Sequence, residues 1–269
     1  MRLFAPVLLV LTLVGTTTAC GGSSGGTPST PASVDAPVSS PELGTKTPPL
    51  PVDPPASPDA LAAFLQQGFA RFGSAHITFS TALSGNALAG AGNVQLGGGQ
   101  VSGLDVTATV SKIGAVHYLL TGNGAFAAMP KPVAGKRYVL LGGSQNSDQL
   151  TRAAIGLQAT KLLASPATYR TLVLAAPTLR LVDRAGVGGV PAMHYRGPVA
   201  VQRIPTSDPV RIALGALDVT AIALDLWVDG AGRPIKASAP AGGRASNVAF
   251  SAVNRPVTLT SPPADQTAR

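Results

Sequence analysis

From Ala75 onward the chain repeats with a period of two. Ile77, Phe79, Thr81 and Leu83 fall on one face of an extended segment and His76, Thr78 and Ser80 on the other, the pattern of a strand buried on one side only. Similar segments recur at about residues 89–97, 101–112, 115–121 and 136–142, broken by glycine-rich turns such as LGGGQ and TGNG. Such a chain has few options: its strands must pair antiparallel as a meander, and the apolar face must be covered.

Three segments with helical spacing supply the cover. Leu61, Phe64, Leu65 and Phe69 follow a capping residue at Ser57 or Asp59. Ser147 to Pro177, rich in Ala and Leu, starts at a cap on Ser147 or Asp148 and reads as two helices broken at Pro166. Its apolar positions, Leu150, Ala154, Ile155, Leu157, Leu162 and Leu163, exceed one stripe. The third segment, SDPVRIALGALD, carries Asp208 and Pro209 where a cap and an N1 proline belong. Before it, TLRLVDRAG and VPAMHYRGPVAV read as strands turned at Gly186 to Gly189. After it come AIALDLWVDGAGRPIKASAP, a hairpin turned at Asp229 to Gly232, and a last strand ASNVAFSAVN. Strands, helices, then strands again predict an α+β fold, one antiparallel sheet of about ten strands with helices on one face. A sheet of that size curls. Residues that fill a core and residues that line a cavity are chemically the same, so both interiors fit the pattern.

The single cysteine, Cys20, sits between an apolar run and a Gly/Ser tract. Met1 and Arg2 are followed by an almost wholly apolar Leu3 to Gly15 and then small residues, the order of a secretory signal; about 13 apolar residues are too few to span a bilayer. Thr17-Thr18-Ala19-Cys20 resembles the bacterial lipobox, which implies cleavage after residue 19 and di- or triacylation of Cys20 with diacylglycerol and palmitate. The expected organisation is thus a lipoprotein signal peptide (1–19), a lipidated cysteine and disordered Pro/Gly/Ser/Thr tether (20–58), and one domain (59–269) held at the extracytoplasmic face of the cell membrane.

The domain carries 18 lysines and arginines against nine aspartates, a balance suited to anionic surfaces; export makes nucleic acid the least suitable of them. Chemistry is sparse. His76, His117 and His194 are isolated on strand-like segments, and the one glutamate, Glu42, lies in the tether. Asp225 and Asp229 flank Trp227 on one strand face, a position better suited to a wet surface and a turn than to a carboxylate pair. No nucleophile elbow, phosphate loop or metal-binding motif occurs, so the expectation is a protein that is not an enzyme and takes no metal or cofactor.

Several stretches in order, FARFGSAHITFSTALSG, AVHYLLTGNGAFAAMPKPVAGKRYVLL, ALDLWVDGAGRPIKAS and VAFSAVNRPVTLTSPP, together resemble the LppX/LprAFG family of mycobacterial and related actinobacterial lipoproteins. The resemblance spans nearly the whole domain. It implies a curved antiparallel half-barrel like that of LolA and LolB, with helices on its concave face closing a large apolar cavity. It also implies binding of acylated lipids or glycolipids and their transport across the cell envelope, with an envelope lipid transporter as a possible partner. Departures occur at Tyr138, where tryptophan is usual, and in the middle helices. A 16-carbon chain leaving a bilayer forfeits about 13 kcal/mol, which only a nearly dry pocket offsets. The expected lining is Ile77, Phe79, Leu224 and Leu226 from strands, with Ile155, Leu157, Leu162, Leu172, Ile212 and Leu214 from helical segments. The rival expectation is a non-enzymatic envelope scaffold or interaction module, in which the same residues form a filled core.

Overall fold

The computed structural model describes residues 49–83, 86–142, 147–215, 219–240 and 246–268. The signal segment, Cys20, most of the tether and residues 216–218 of the third helical segment lie outside these. Helix α1 (Pro58–Phe69) leads into β1 (Ser74–Leu83), β2 (Asn86–Gly97), β3 (Gln100–Val110), β4 (Gly114–Thr121), β5 (Gly124–Val133) and β6 (Lys136–Leu140). Helices α2 (Asp148–Ala164) and α3 (Pro166–Leu174) follow, then β7 (Arg180–Val187), β8 (Val190–Ala200) and α4 (Pro209–Gly215). Strands β9 (Ala221–Asp229), β10 (Pro234–Ser238), β11 (Ser246–Ser251) and the two-residue β12 (Thr267–Ala268) close the chain.

The local signals act as their chemistry requires. Ser57 accepts from the Ala60 amide, Ser147 from Leu150, and Asp208 from Val210, so α1, α2 and α4 each start with a side chain meeting a free N–H. Pro166 has no N–H to give and ends α2, while its fixed φ suits the first position of α3. Gly98-Gly99 and Gly188-Gly189 take positive φ at both positions, the geometry of tight hairpin turns.

All twelve strands join one open sheet in the order β12-β6-β5-β4-β3-β2-β1-β11-β10-β9-β8-β7. Among the described residues the ladder is antiparallel except where β12 lies parallel on β6, with Thr267 opposite Tyr138. Two meanders meet at its centre, where β1 pairs with β11 and Ile77 stands opposite Phe250. The sheet exceeds the expected ten strands by β5 and β12. Strand β5 contains Pro130 and Pro132, which weaken its alternation; it is tolerated because the register with β6 breaks between Ala128 and Val133. Strand β12 is too short to carry a pattern.

Laid flat, twelve strands at about 4.8 Å would span some 50 Å, more than a few helices of about 10 Å can cover. The sheet instead curves as a half-barrel, and buried residues from β8 (Val199) round to β12 (Ala268) belong to one core. Gly90 and Gly92 sit on the inner side of β2 where a Cβ would run into the Thr107 and Asp105 carbonyls of β3, so close backbone approach depends on their lacking one. Helix α2 rests on β1 and β3, α3 on β10, and α1 on α3.

The domain also begins ahead of residue 59. Leu50 packs against the core, and the Val52 carbonyl accepts from Arg184 Nη2 at 2.7 Å. At the other end of α1, Gly68 and Gly232 touch backbone to backbone, which fixes the helix on the β9–β10 turn. Inside that turn Asp229 is fully buried: Oδ1 accepts from the Ala231 and Arg233 amides, and Oδ2 from Arg233 Nε at 2.8 Å and Nη2 at 2.6 Å. Removing the carboxylate leaves a buried guanidinium without its partner. Asp229→Ala is therefore expected to destabilise the domain by about 3–5 kcal/mol in urea unfolding, whereas Asp183→Ala on exposed β7 changes it little.

Candidate functional site

The concave face of the sheet and the helices on it hold most of the predicted lining. Ile77, Phe79, Leu157, Leu172, Leu224 and Leu226 are buried in the core, and Leu162 and Leu214 are half-buried against it. Ile155 and Ile212 are not brought there: they are 63% and 60% exposed, on the outer sides of α2 and α4. On α2 the buried positions Leu150, Ala153, Leu157, Thr160 and Ala164 recur every three or four residues and make the stripe that meets the sheet. Ile155 lies two residues, about 200°, from Leu157 and so falls on the opposite side. Cys20, the predicted lipidation site, lies outside the described residues.

Polar groups within this layer went unanticipated. Tyr118 on β4 faces inward between Val106 of β3 and Ala127 of β5, fully buried, with its hydroxyl against Gly156 of α2. Tyr169 on α3 donates to the Leu163 carbonyl at 2.6 Å, and the Tyr195 hydroxyl of β8 reaches Met193 Sδ at 3.7 Å. Burial pushes the ionisation of all three upward; Tyr195 is raised to about 12, the nearby Arg184 charge working against the shift. The alternation of Val116, Tyr118 and Leu120 on β4 is the signal that could have placed Tyr118 on the inner face.

The outer face carries the histidines. His117 Nε2 and Asp105 Oδ1 are 2.7 Å apart, His194 Nε2 and Asp225 Oδ1 2.7 Å, and His76 Nδ1 meets Asn93 Oδ1 at 3.2 Å. Asp225 also accepts from Arg196 Nε at 2.6 Å. His194 stacks on Trp227 with ring centroids 4.1 Å apart, and Lys236 Nζ lies 4.6 Å from the same indole centroid. Together with His194 Nδ1 lying 3.6 Å from Asp183 Oδ2, these contacts tie β8 to β7 and β9, β9 to β10, β3 to β4 and β1 to β2, and among the described residues none brings a nucleophilic hydroxyl to a histidine ring. Among the described residues no group of three or more His, Cys, Asp or Glu side chains has the geometry to hold a metal ion.

A separate cleft of about 400 Å³ opens at the rim, lined by Ser74, Gln95, Ser102, Asn254 and Val257 among others. The C-terminal segment forms one wall, held by Gln95 Nε2 donating to the Val257 carbonyl and Ser74 Oγ to that of Arg255.

No protein-family model matches the sequence, and no curated protein matches it. Among solved structures, the chain is similar to the Mycobacterium tuberculosis lipoprotein LppX at 16% identity, with 75% of this chain and 99% of that one aligned and a TM-score of 0.48. It is similar to LprF from Mycobacterium bovis at 15% identity, with 77% and 99% aligned and a TM-score of 0.49. At these identities the likeness concerns the fold, and nothing about a ligand passes from them to this chain.

The three buried tyrosines have a consequence for alkaline stability. Each keeps its proton in the fold at a pH where the unfolded chain, titrating near 10, has released it. Their contribution is complete below about pH 10 and is lost as pH rises toward and past the raised values, about 12 for Tyr195. Thermal melts are expected to show Tm falling steeply above pH 10, and Tyr118→Phe to lessen that fall relative to the native chain.

Proposed function

We propose that this chain is a membrane-anchored lipoprotein whose domain binds acylated lipids or lipoglycans and carries them across the cell envelope without catalysing a reaction. The observation that carries the reading is how α2 sits on the concave face. Its buried stripe is apolar apart from Thr160, whose hydroxyl is satisfied by its own helix at the Gly156 carbonyl. Among the described residues, no side-chain hydrogen bond or ion pair runs from Asp148–Ala164 to the sheet. A helix held by apolar contact alone trades one apolar neighbour for another at little cost. An acyl chain entering beneath it replaces side-chain contact with methylene contact and recovers the roughly 0.8 kcal/mol per methylene forfeited on leaving the bilayer.

Two sequence features support the setting. The lipobox-like run ending at Cys20 supplies an anchor of two or three acyl chains, and the positive domain is drawn to anionic head groups. The extended Pro-rich stretch between them gives the domain reach from the bilayer.

A scaffold reading is favoured by one fact, the mutual burial of Leu157, Leu224 and Leu226, which is what a filled core looks like. Native mass spectrometry of the full chain, purified from an actinobacterial host membrane, separates the two. A stoichiometric diacyl or triacyl lipid, lost on denaturation and distinct from acyl groups covalent at Cys20, is the expected result. A mass without non-covalent lipid, and no uptake of added glycolipid, would move the assignment to a scaffold.

A further inference from the structure

Tyr118 is an anomaly in an otherwise well-satisfied interior. It is 0% exposed, and among the described residues its hydroxyl has no hydrogen-bond partner. Buried hydroxyls are rarely left this way, because desolvating a donor without replacing its bond is a standing penalty. The other buried hydroxyls of this layer are provided for: Tyr169 by the Leu163 carbonyl, Thr160 by Gly156, and Thr81 by Ser246 Oγ at 2.6 Å. Helix α2 stands over Tyr118. A Cβ at Gly156 would strike the hydroxyl, so the helix has a gap in its side chains directly above the oxygen.

The covering helix is built to leave. Its contact with the sheet is apolar, as described above, while its C-terminal end is fastened. The Ala167 amide donates to the Gly99 carbonyl at 2.9 Å, and the Ser165 hydroxyl accepts from the Val101 amide at 3.4 Å. The break at Ser165-Pro166 is therefore pinned to the β2–β3 turn and serves as a pivot for the helix ahead of it. Lifting α2 would uncover Val106, Ala108 and Val110 of β3, with one donor among them.

From this we infer that the Tyr118 hydroxyl is the polar anchor of a lipid site formed when α2 lifts from the concave face, donating its hydrogen bond to an ester carbonyl of the bound acyl lipid. The inference rests on the lipid-carrier reading and adds the ligand's chemistry to it. An ester carbonyl is the acceptor that long acyl chains bring to such a depth, and the tyrosine, kept protonated by burial, is available as a donor throughout the physiological range. An ether-linked lipid has the same chains without that carbonyl and leaves the hydroxyl unpaired.

The test is equilibrium binding of radiolabelled 1,2-dipalmitoylglycerol and its 1,2-di-O-hexadecyl ether analogue to the full-length chain, native and Tyr118→Phe. The native chain is expected to favour the ester about fivefold, the loss typical of one neutral hydrogen bond. Tyr118→Phe is expected to bind both lipids at the ether's level while melting at an equal or higher temperature, since the unpaired hydroxyl is gone. Equal binding of ester and ether by the native chain, or an ester preference that survives in Tyr118→Phe, overturns the anchor and leaves the carrier reading standing. Failure of the native chain to bind either lipid overturns both. The ester–ether comparison on the native chain decides the matter even if the variant fails to fold.

Discussion

A sheet of twelve strands with one apolar face has to hide that face, and the rest of the molecule follows from how it does so. Flat, it would outrun the helices available. Curved, with Gly90 and Gly92 giving room on the inner side of β2, it brings both meanders around the same core. The curvature depends on contacts far apart in sequence: β1 against β11 at the centre, and α1 locked onto the β9–β10 turn through Gly68 and Gly232. The buried Asp229–Arg233 pair holds that turn in shape from within.

The helices cover the concave face unequally. Helix α1 is pressed backbone to backbone on a turn that is itself cross-linked by a buried ion pair. Helix α2 has none of this; it lies over Tyr118 by apolar contact and is tethered at its Pro166 end. One part of the cover is thus fastened by backbone and ionic contacts and the other lies by apolar contact, the division that the proposed carriage of apolar cargo would require. The outer face, by contrast, is knit by His194, Trp227, Lys236, Asp225 and Arg196 across neighbouring strands.

Much of this was legible from local pattern. Period-two runs located most strands, Ser147 and Pro166 bounded α2, and Asp208-Pro209 opened α4, because caps, proline and alternation act over a few residues. What depended on distant partners was not. The prolines of β5 disguised a strand that a register break accommodates, and β12 exists only because β6 offers an edge. Apolar residues on all sides of α2 concealed which side meets the sheet, so Leu157 and Ile155 were grouped although one is buried and the other exposed. The unpartnered Tyr118 hydroxyl is a statement about what is missing above it, and no periodicity carries that.

The central claim is that α2 is an exchangeable cover, and amide hydrogen exchange resolved by segment tests it most directly. The account predicts that α2 amides exchange well before those of β3 and β4 in the lipid-free chain. Addition of dipalmitoylglycerol should then alter exchange in α2 and in the strands beneath it, leaving β8 and β9 unchanged. Protection of α2 equal to that of β3 and β4, with no response to the lipid, would contradict it.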